Sequence, residues 1–187
     1  MKKRTILLSA LFILLVYVFA GCGSEGGTEI NKEINKDYEK YFAEFSAEDI
    51  YGKKVTQKEI RDKKYTLVTV WGTYCNPCID ELPDLQKLYD KYKGDGINVM
   101  GVIIDIQNDD GSLNQEQTSY AREITEKQGA EFVNMAVPPG RETLFSQIAV
   151  TPTAFFLDNK GSVIGHFYEG VYSYEEWSDM FEKLLEE

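Results

Sequence analysis

The residues best suited to chemistry are two of the three cysteines, which lie in the segment Cys75-Asn76-Pro77-Cys78. The first thiol falls where a strand ends and a helix begins, so unpaired amide hydrogens and the helix dipole favour its thiolate form. A thiolate attacks disulfide sulfurs, and a second thiol one helical turn later can resolve the mixed disulfide. The pair therefore predicts thiol-disulfide exchange, with Cys75 as the nucleophile and Cys78 as the resolving thiol.

Two other uses of the cysteine pair stay open from the residues alone. A fixed structural disulfide is one, although so short a loop restricts the unfolded chain less than a long-range bridge does. A zinc half-site is the other, but it needs more ligands than the single histidine, His166, and the remaining cysteine, Cys22, can supply. We expect His166 to be an ordinary strand residue, and we predict no metal and no other cofactor.

The elements that position the cysteines alternate between strand and helix patterns. The apolar run Tyr65–Trp71 predicts a buried strand just before the pair. A helix is predicted to begin near Pro77, which suits a first helical position, and Pro83 predicts a kink inside it. The other predicted elements are a β-hairpin at 45–60, strands at 97–105 and 131–137, helices at 115–129 and 142–148, a second hairpin at 153–168 and a final helix at 173–187. This order predicts an α/β sandwich in which helices flank a mixed central β-sheet, preceded by an N-terminal β-hairpin extension.

Length and charge indicate one acidic domain. The chain has 187 residues, which suffice for a single domain with a substantial core. Its 31 acidic and 20 basic residues give a formal charge of −11. A polyanionic partner such as nucleic acid is therefore not expected.

The N-terminal residues carry an export pattern, because a basic start at 1–4 is followed by an apolar run at 5–20. A membrane-retained signal anchor and a buried helix are the alternatives. The apolar run is short for a membrane-spanning helix and stops abruptly at a Gly/Ser-rich segment, which favours a cleaved signal peptide over 1–21.

The residues "FAGC", which end at Cys22, resemble the lipobox of bacterial lipoproteins, although Phe19 stands where leucine is usual. This resemblance implies diacylation of Cys22, and two acyl chains anchor a protein stably. Residues 22–37 have the composition of a flexible tether. The globular domain is predicted to occupy 38–187.

Two longer segments together resemble the thioredoxin superfamily, and specifically its TlpA/ResA-like extracytoplasmic branch. They are "VTVWGTYCNPCIDELPDL" at 68–85 and "VTPTAFFLDNKGSVIGHFYEG" at 150–170. The similarity extends over roughly residues 42–187 and implies a thioredoxin-like sandwich. It implies that Pro152 follows a cis peptide bond and that Thr151 lies against the cysteines.

The same resemblance assigns further roles. The residues implied to contact substrate are Trp71, Tyr74, Pro77, Thr151 and Pro152. Glu81 matches an acidic residue three positions after the second cysteine, which implies that it accepts the proton of Cys78. The alternative for Glu81 is an exposed acid in the first helical turn that interacts with the helix dipole.

The sequence also departs from the family's patterns. Tyr74 replaces the tryptophan that is usual before the first cysteine, which puts the familiar docking surface in doubt. Thr69 occupies the strand position where cytoplasmic thioredoxins carry a buried aspartate, so that proton relay is not expected and Glu81 becomes the substitute.

The resemblance implies a membrane-tethered, extracytoplasmic reductase of protein disulfides. Its expected partners are exported protein thiols and disulfides, including those of cytochrome c maturation, a membrane thiol-electron donor, and the membrane itself through a lipid anchor. A disulfide-donating oxidase and a redox-inert binding module are the alternatives, because sequence does not fix the reduction potential.

Overall fold

The protein is described by a computed structural model over residues 41–186. The predicted signal peptide (1–21), the predicted lipidation site Cys22 and the predicted tether (22–37) lie outside the described residues. Within the described range there are seven strands and five α-helices: β1 (Ser46–Glu48), β2 (Lys54–Thr56), α1 (Lys58–Arg61), β3 (Tyr65–Trp71), α2 (Asn76–Tyr92), β4 (Ile97–Ile103), α3 (Gln115–Gln128), β5 (Val133–Ala136), α4 (Glu142–Ser146), β6 (Thr153–Asp158), β7 (Val163–Glu169) and α5 (Tyr174–Glu186).

The central sheet has five strands in the order β5-β4-β3-β6-β7, and it is mixed as predicted. Strands β3, β4 and β5 run parallel, whereas β6 and β7 are antiparallel to their neighbours. The predicted N-terminal hairpin is the separate pair β1–β2, but it ends at Thr56, and residues 58–61 form helix α1 instead of continuing the hairpin. Strand β3 lies at the centre of the sheet, so the cysteines that follow it stand at the middle of the edge formed by the carboxyl ends of the parallel strands. Active groups are commonly found at this edge of α/β sheets.

Both faces of β3, β4 and β6 are buried, which explains why these strands are predominantly apolar, whereas the edge strand β7 is partly exposed. Leu67 on β3 faces a core shared with α2, α3 and α5, while its neighbour Val68 faces a second core shared with the N-terminal segment, α1 and α4. This alternation follows from the two-residue period of a strand. The result is the predicted α/β sandwich.

Helix α2 carries both cysteines at its N-terminal end. It begins at Asn76, so Pro77 occupies the second helical position, one later than predicted. Proline is accepted there because the first four amides of a helix have no partner within the helix. The fully buried Leu82, Leu85 and Leu88 fix the helix against the sheet, and burial of each such side chain stabilises the fold by about 1.5–3 kcal/mol.

The last helix, α5, has the predicted capping box at its start. The Ser173 Oγ accepts a hydrogen bond from the amide of Glu176 at 3.3 Å, and the Glu176 carboxylate accepts one from the amide of Ser173 at 2.8 Å. These bonds satisfy two amides that would otherwise be unpaired. They fix the start of α5, whose Trp177 reaches the vicinity of the cysteines.

Candidate active site

Cys75 and Cys78 are joined by a disulfide, with an S–S distance of 2.07 Å. Cys75 is the N-cap residue of α2, and its Sγ accepts a hydrogen bond from the amide of Cys78 at 3.3 Å. Cys75 is 6% exposed and Cys78 is 2% exposed. The first sulfur therefore lies at the N-terminus of the helix, as the sequence predicted, where amide hydrogens stabilise negative charge.

The Thr151–Pro152 peptide bond is cis, as the family resemblance implied. The Thr151 carbonyl oxygen lies 3.5 Å from the Cys75 Sγ. On the other side of this loop, the Pro152 carbonyl accepts a hydrogen bond from the amide of Gly170 at 2.8 Å. Residues that are far apart in the chain thus form one surface around Cys75.

Glu81 lies in the second turn of α2 and is only 5% exposed. The alternative in which Glu81 is an exposed first-turn acid is therefore wrong, because its carboxylate points into the core between α2 and α5. One carboxylate oxygen, Oε1, accepts hydrogen bonds from the Trp177 indole N–H at 3.0 Å and the Tyr172 amide at 3.1 Å. Burial raises the pKa of Glu81, although these two hydrogen bonds counteract part of the rise.

Trp71 does not belong to the substrate surface, so this part of the prediction is wrong. Its side chain is fully buried, and its indole N–H donates a hydrogen bond to the Asn134 Oδ1 at 3.0 Å. Gly101 on the strand between them makes this contact possible, since a Cβ there would lie 2.0 Å from the Asn134 Oδ1. Trp71 is a core residue because it is the last residue of the central strand, which is covered on both faces, and it packs in the same core cluster as the cysteines.

Tyr74 and Pro77, by contrast, lie on the exposed rim of the site. Tyr74 is 65% exposed, although its ring packs over the Cα of Gly72, where a Cβ would lie 2.6 Å from the ring. Pro77 is exposed and Thr151 is half-buried. These three residues surround Cys75 and are available for contact with a substrate chain.

Three residues near the site carried no sequence signal. Trp177 and Tyr172 reach Glu81 from about 90 positions along the chain. Asp105, two residues beyond the end of β4, accepts hydrogen bonds from both the amide and the hydroxyl of Thr73. These partners were missed because a side-chain contact between distant segments leaves no periodic pattern in the sequence.

Residues 41–186 show neither a metal-binding cluster nor a membrane-spanning helix. This range contains no group of three or more His, Cys, Asp or Glu residues arranged to hold a metal ion. His166 is exposed on β7, with its ring 4.2 Å from that of Tyr168. None of the helices in the same range has the length and apolar character needed to cross a membrane.

The mixed sheet, the disulfide at a helix N-terminus and the cis peptide facing it define a thioredoxin-like protein. Comparison with protein families agrees, since the model of the AhpC/TSA family matches residues 38–166. That match covers more than half of the chain. The chain belongs to the AhpC/TSA family.

Individual relatives narrow the class. The chain is 28% identical over 189 residues to thiol-disulfide oxidoreductase ResA of Bacillus thuringiensis subsp. konkukian (strain 97-27), covering 98% of this chain and 99% of the relative. It is 31% identical over 140 residues to thiol:disulfide interchange protein DsbE of Pseudomonas fluorescens biotype C, covering 72% and 68%. The protein is accordingly a thiol-disulfide oxidoreductase of the ResA/DsbE type with a Cys75–Cys78 pair.

Solved structures show the same fold. StoA from Bacillus subtilis superposes with a TM-score of 0.56 at 23% identity, covering 75% of this chain and 97% of that one. A thioredoxin family protein from Chlorobium tepidum TLS gives a TM-score of 0.62 at 22% identity, covering 76% and 93%. The thioredoxin-like fold is thereby confirmed.

Proposed function

We propose that the protein reduces disulfides of exported proteins on the outer side of the cell membrane. The observation that carries the proposal is the position of Cys75, which caps α2 and lies 3.5 Å from the Thr151 carbonyl. This position offers a thiolate stabilised by the helix and an adjacent backbone acceptor for an extended substrate chain. The disulfide between Cys75 and Cys78 is the product state of that reduction.

The proposed reaction has two exchange steps. The Cys75 thiolate attacks one sulfur of the substrate disulfide, forms a mixed disulfide and releases the other substrate sulfur as a thiolate. Cys78 then loses its proton, attacks the Cys75 sulfur and releases the second substrate thiolate. Two electrons pass to the substrate, the enzyme is left as the Cys75–Cys78 disulfide, and no cofactor takes part.

Glu81 is proposed to accept the proton of Cys78. It follows Cys78 by three positions on α2, so both side chains lie on the same face of the helix. Its burial and raised pKa support this role, because a carboxylate with elevated basicity accepts a thiol proton more readily. A second carboxylate nearby, Asp84, adds to the rise in pKa by repulsion.

Tyr74, Pro77 and Thr151 are proposed to contact the substrate, whereas the side chain of Pro152 is buried and is proposed only to support the loop that presents Thr151. The exposed Tyr74 ring and Pro77 would flank the substrate cysteine on one side. On the other side, Thr151 would bind the substrate backbone, since its carbonyl oxygen lies 3.5 Å from the Cys75 Sγ. The expected substrates are therefore protein segments that can lie extended across this loop.

The membrane location rests on the N-terminal sequence. We propose that residues 1–21 are removed, that Cys22 is diacylated and that 22–37 tether the domain at 38–187 to the outer surface of the membrane. A membrane thiol-electron donor would regenerate the dithiol. Thiol proteins of cytochrome c maturation are the proposed substrate class, by resemblance to the TlpA/ResA-like branch.

The direction of the reaction is tested by the reduction potential of the cysteine couple. The full chain in detergent is equilibrated with glutathione or dithiothreitol buffers, and the Cys75/Cys78 peptide is quantified by alkylation and mass spectrometry. A potential near or below about −230 mV supports the reductase, whereas one above about −180 mV indicates an oxidase or isomerase. A pair that does not titrate as a two-electron couple would indicate a redox-inert binding module instead.

The roles of the two cysteines are tested by trapping. Cys78→Ser should accumulate mixed disulfides with substrate proteins, because the nucleophile remains and the resolving thiol is absent. Cys75→Ser is the matched control and should accumulate none. The opposite pattern on non-reducing gels would reverse the assignment.

A further inference from the structure

A carboxylate just after the neighbouring strand β4, that of Asp105, holds the turn that precedes the nucleophile. Four residues, 72–75, separate the end of β3 from the start of α2. Within this turn, the Thr73 amide donates to both oxygens of the Asp105 carboxylate at 3.0 and 3.1 Å. The Thr73 hydroxyl donates to the Asp105 Oδ2 at 2.6 Å. Two donors on one residue are therefore engaged by a single half-buried carboxylate.

Backbone contacts make the turn a defined unit. The Cys75 amide donates to the Gly72 carbonyl at 3.0 Å, which closes the turn. The Ile104 amide donates to the Trp71 carbonyl at 3.0 Å, which places Asp105 directly beside it. Because the turn is closed at Cys75, movement of Thr73 would move the Cys75 backbone as well.

The position of the Cys75 sulfur depends on short distances. Its Sγ lies 3.3 Å from the Cys78 amide nitrogen and 3.5 Å from the Thr151 carbonyl. Hydrogen bonds of a carboxylate are among the strongest in proteins, so the bonds of Asp105 to Thr73 resist displacement of the turn. A misplacement of about 1 Å can lower a reaction rate by as much as about 100-fold.

We propose that Asp105 is a positioning residue for the thiol-disulfide exchange, acting through Thr73 on the placement of Cys75. The inference rests on the proposed role of Cys75 as the nucleophile. Asp105 does not touch the sulfur in this arrangement. It keeps the Cys75 Sγ at the helix N-terminus, where the Cys78 amide stabilises the thiolate, and beside the Thr151 carbonyl, where the substrate is to bind.

The test compares Thr73→Val with Thr73→Ser in the reduced full chain. Valine has the shape of threonine but no hydroxyl donor, whereas serine keeps the donor. The rate of Cys75 alkylation by iodoacetamide is followed against pH by mass spectrometry of its peptide, and the rate of reaction with oxidised glutathione is measured in parallel. Melting temperatures are recorded for each variant.

For Thr73→Val we expect the midpoint of the alkylation profile to move to higher pH, because the thiolate loses part of its contact with the helix N-terminus. The rate with oxidised glutathione should fall about tenfold. Thr73→Ser should retain the wild-type midpoint and a rate within about twofold of wild type, since its hydroxyl still bonds to Asp105.

Thr73→Val leaves the two hydrogen bonds from the Thr73 amide to Asp105 in place, so Asp105→Asn is measured as well, because it keeps the side-chain size and loses one of the two acceptors. A wild-type midpoint and rate in both variants, with or without a lower melting temperature, would assign the pair to stability alone and overturn the proposal. If Thr73→Val does not fold, the result for Asp105→Asn decides. An unreactive Cys75 in the wild-type chain would refute the proposed function itself. This result is distinguishable from failure of the Asp105 proposal, in which Cys75 of the wild-type chain reacts and the variants behave like it.

Discussion

Replacement of Glu81 by glutamine should make the protein more stable and less active at the same time. Glutamine has nearly the same shape and keeps an oxygen that can accept the hydrogen bonds of the Trp177 indole and the Tyr172 amide. It removes the charge, which burial disfavours. The Glu81→Gln substitution therefore separates the effect of the carboxylate's charge on stability and activity from the effect of its packing.

The sign of the stability change follows from the raised pKa of Glu81. The ordinary value is 4.5, and the native protein holds the proton to higher pH than this. Between the two pKa values the unfolded chain binds fewer protons than the native protein, so the free energy of unfolding falls as pH rises through that interval. It stays lowered above the native pKa. Well below pH 4.5 the carboxyl is neutral in both states and the cost is absent.

The magnitude is a balance of opposing contributions. Each of the two hydrogen bonds to the carboxylate stabilises the charged form by about 1.5–3 kcal/mol, and glutamine retains about 0.5–1.5 kcal/mol of each. The pKa is nevertheless raised, so the cost of burying the charge exceeds this stabilisation. We expect Glu81→Gln to raise the free energy of unfolding at pH 7 by on the order of 1 kcal/mol, which moves Tm by about 2–4 °C in a domain of this size.

The assay is urea unfolding of the oxidised protein at pH 4 and pH 7, with the rate of disulfide exchange measured on the reduced form of the same variants. The exchange rate of Glu81→Gln should fall by about 100-fold or more, as loss of a general base does, and its pH dependence should flatten. Asp80→Asn, a change at the exposed neighbouring acid, is the control and should alter neither property. Destabilisation by more than about 1 kcal/mol at pH 7, or an unchanged pH profile of exchange, would refute the reasoning.

Two further predictions concern other parts of the chain. Gly101→Ala should destabilise the protein by about 2–4 kcal/mol in urea unfolding, because the new Cβ would lie 2.0 Å from the Asn134 Oδ1 and break its buried hydrogen bond with Trp71. Gly94→Ala, which meets open space, is its control and should be close to neutral, so equal losses in the two variants would contradict the packing argument. Cys22→Ala should leave the protein unprocessed or release it from membranes in cell fractionation, and a processed protein that stays in the membrane would rule out lipidation at this residue.

The elements that hold the site were accessible from the sequence because their signals are local. Each of these signals depends on residues close together in the chain. They are the apolar run of β3, Pro77 near the start of α2, and the capping box at Ser173. Such short-range preferences act in the same way in any tertiary context. The bounds of most helices and strands consequently agreed with the structure to within about two residues. The exception is α1 (Lys58–Arg61), which was not predicted and lies within the segment predicted as the N-terminal hairpin.

The position of the cis peptide was also anticipated, but by a different route. Nothing in the residues around Pro152 distinguishes a cis from a trans bond, since trans is the usual state of any bond before proline. The resemblance to the thioredoxin superfamily supplied this expectation, and the structure agrees with it. The same resemblance also supplied the expectation that Thr151 lies against Cys75, and the structure shows this contact.

By itself, then, the sequence determined that two thiols stand at the N-terminus of a helix behind a buried strand, and hence the class of chemistry. Only the tertiary structure decided that Trp71 lies in the core, that Glu81 is buried under Trp177, and that Asp105 holds the turn before Cys75. The physical reason is that these outcomes depend on contacts between segments 30 to about 100 residues apart, which packing of the whole sheet and its helices brings together.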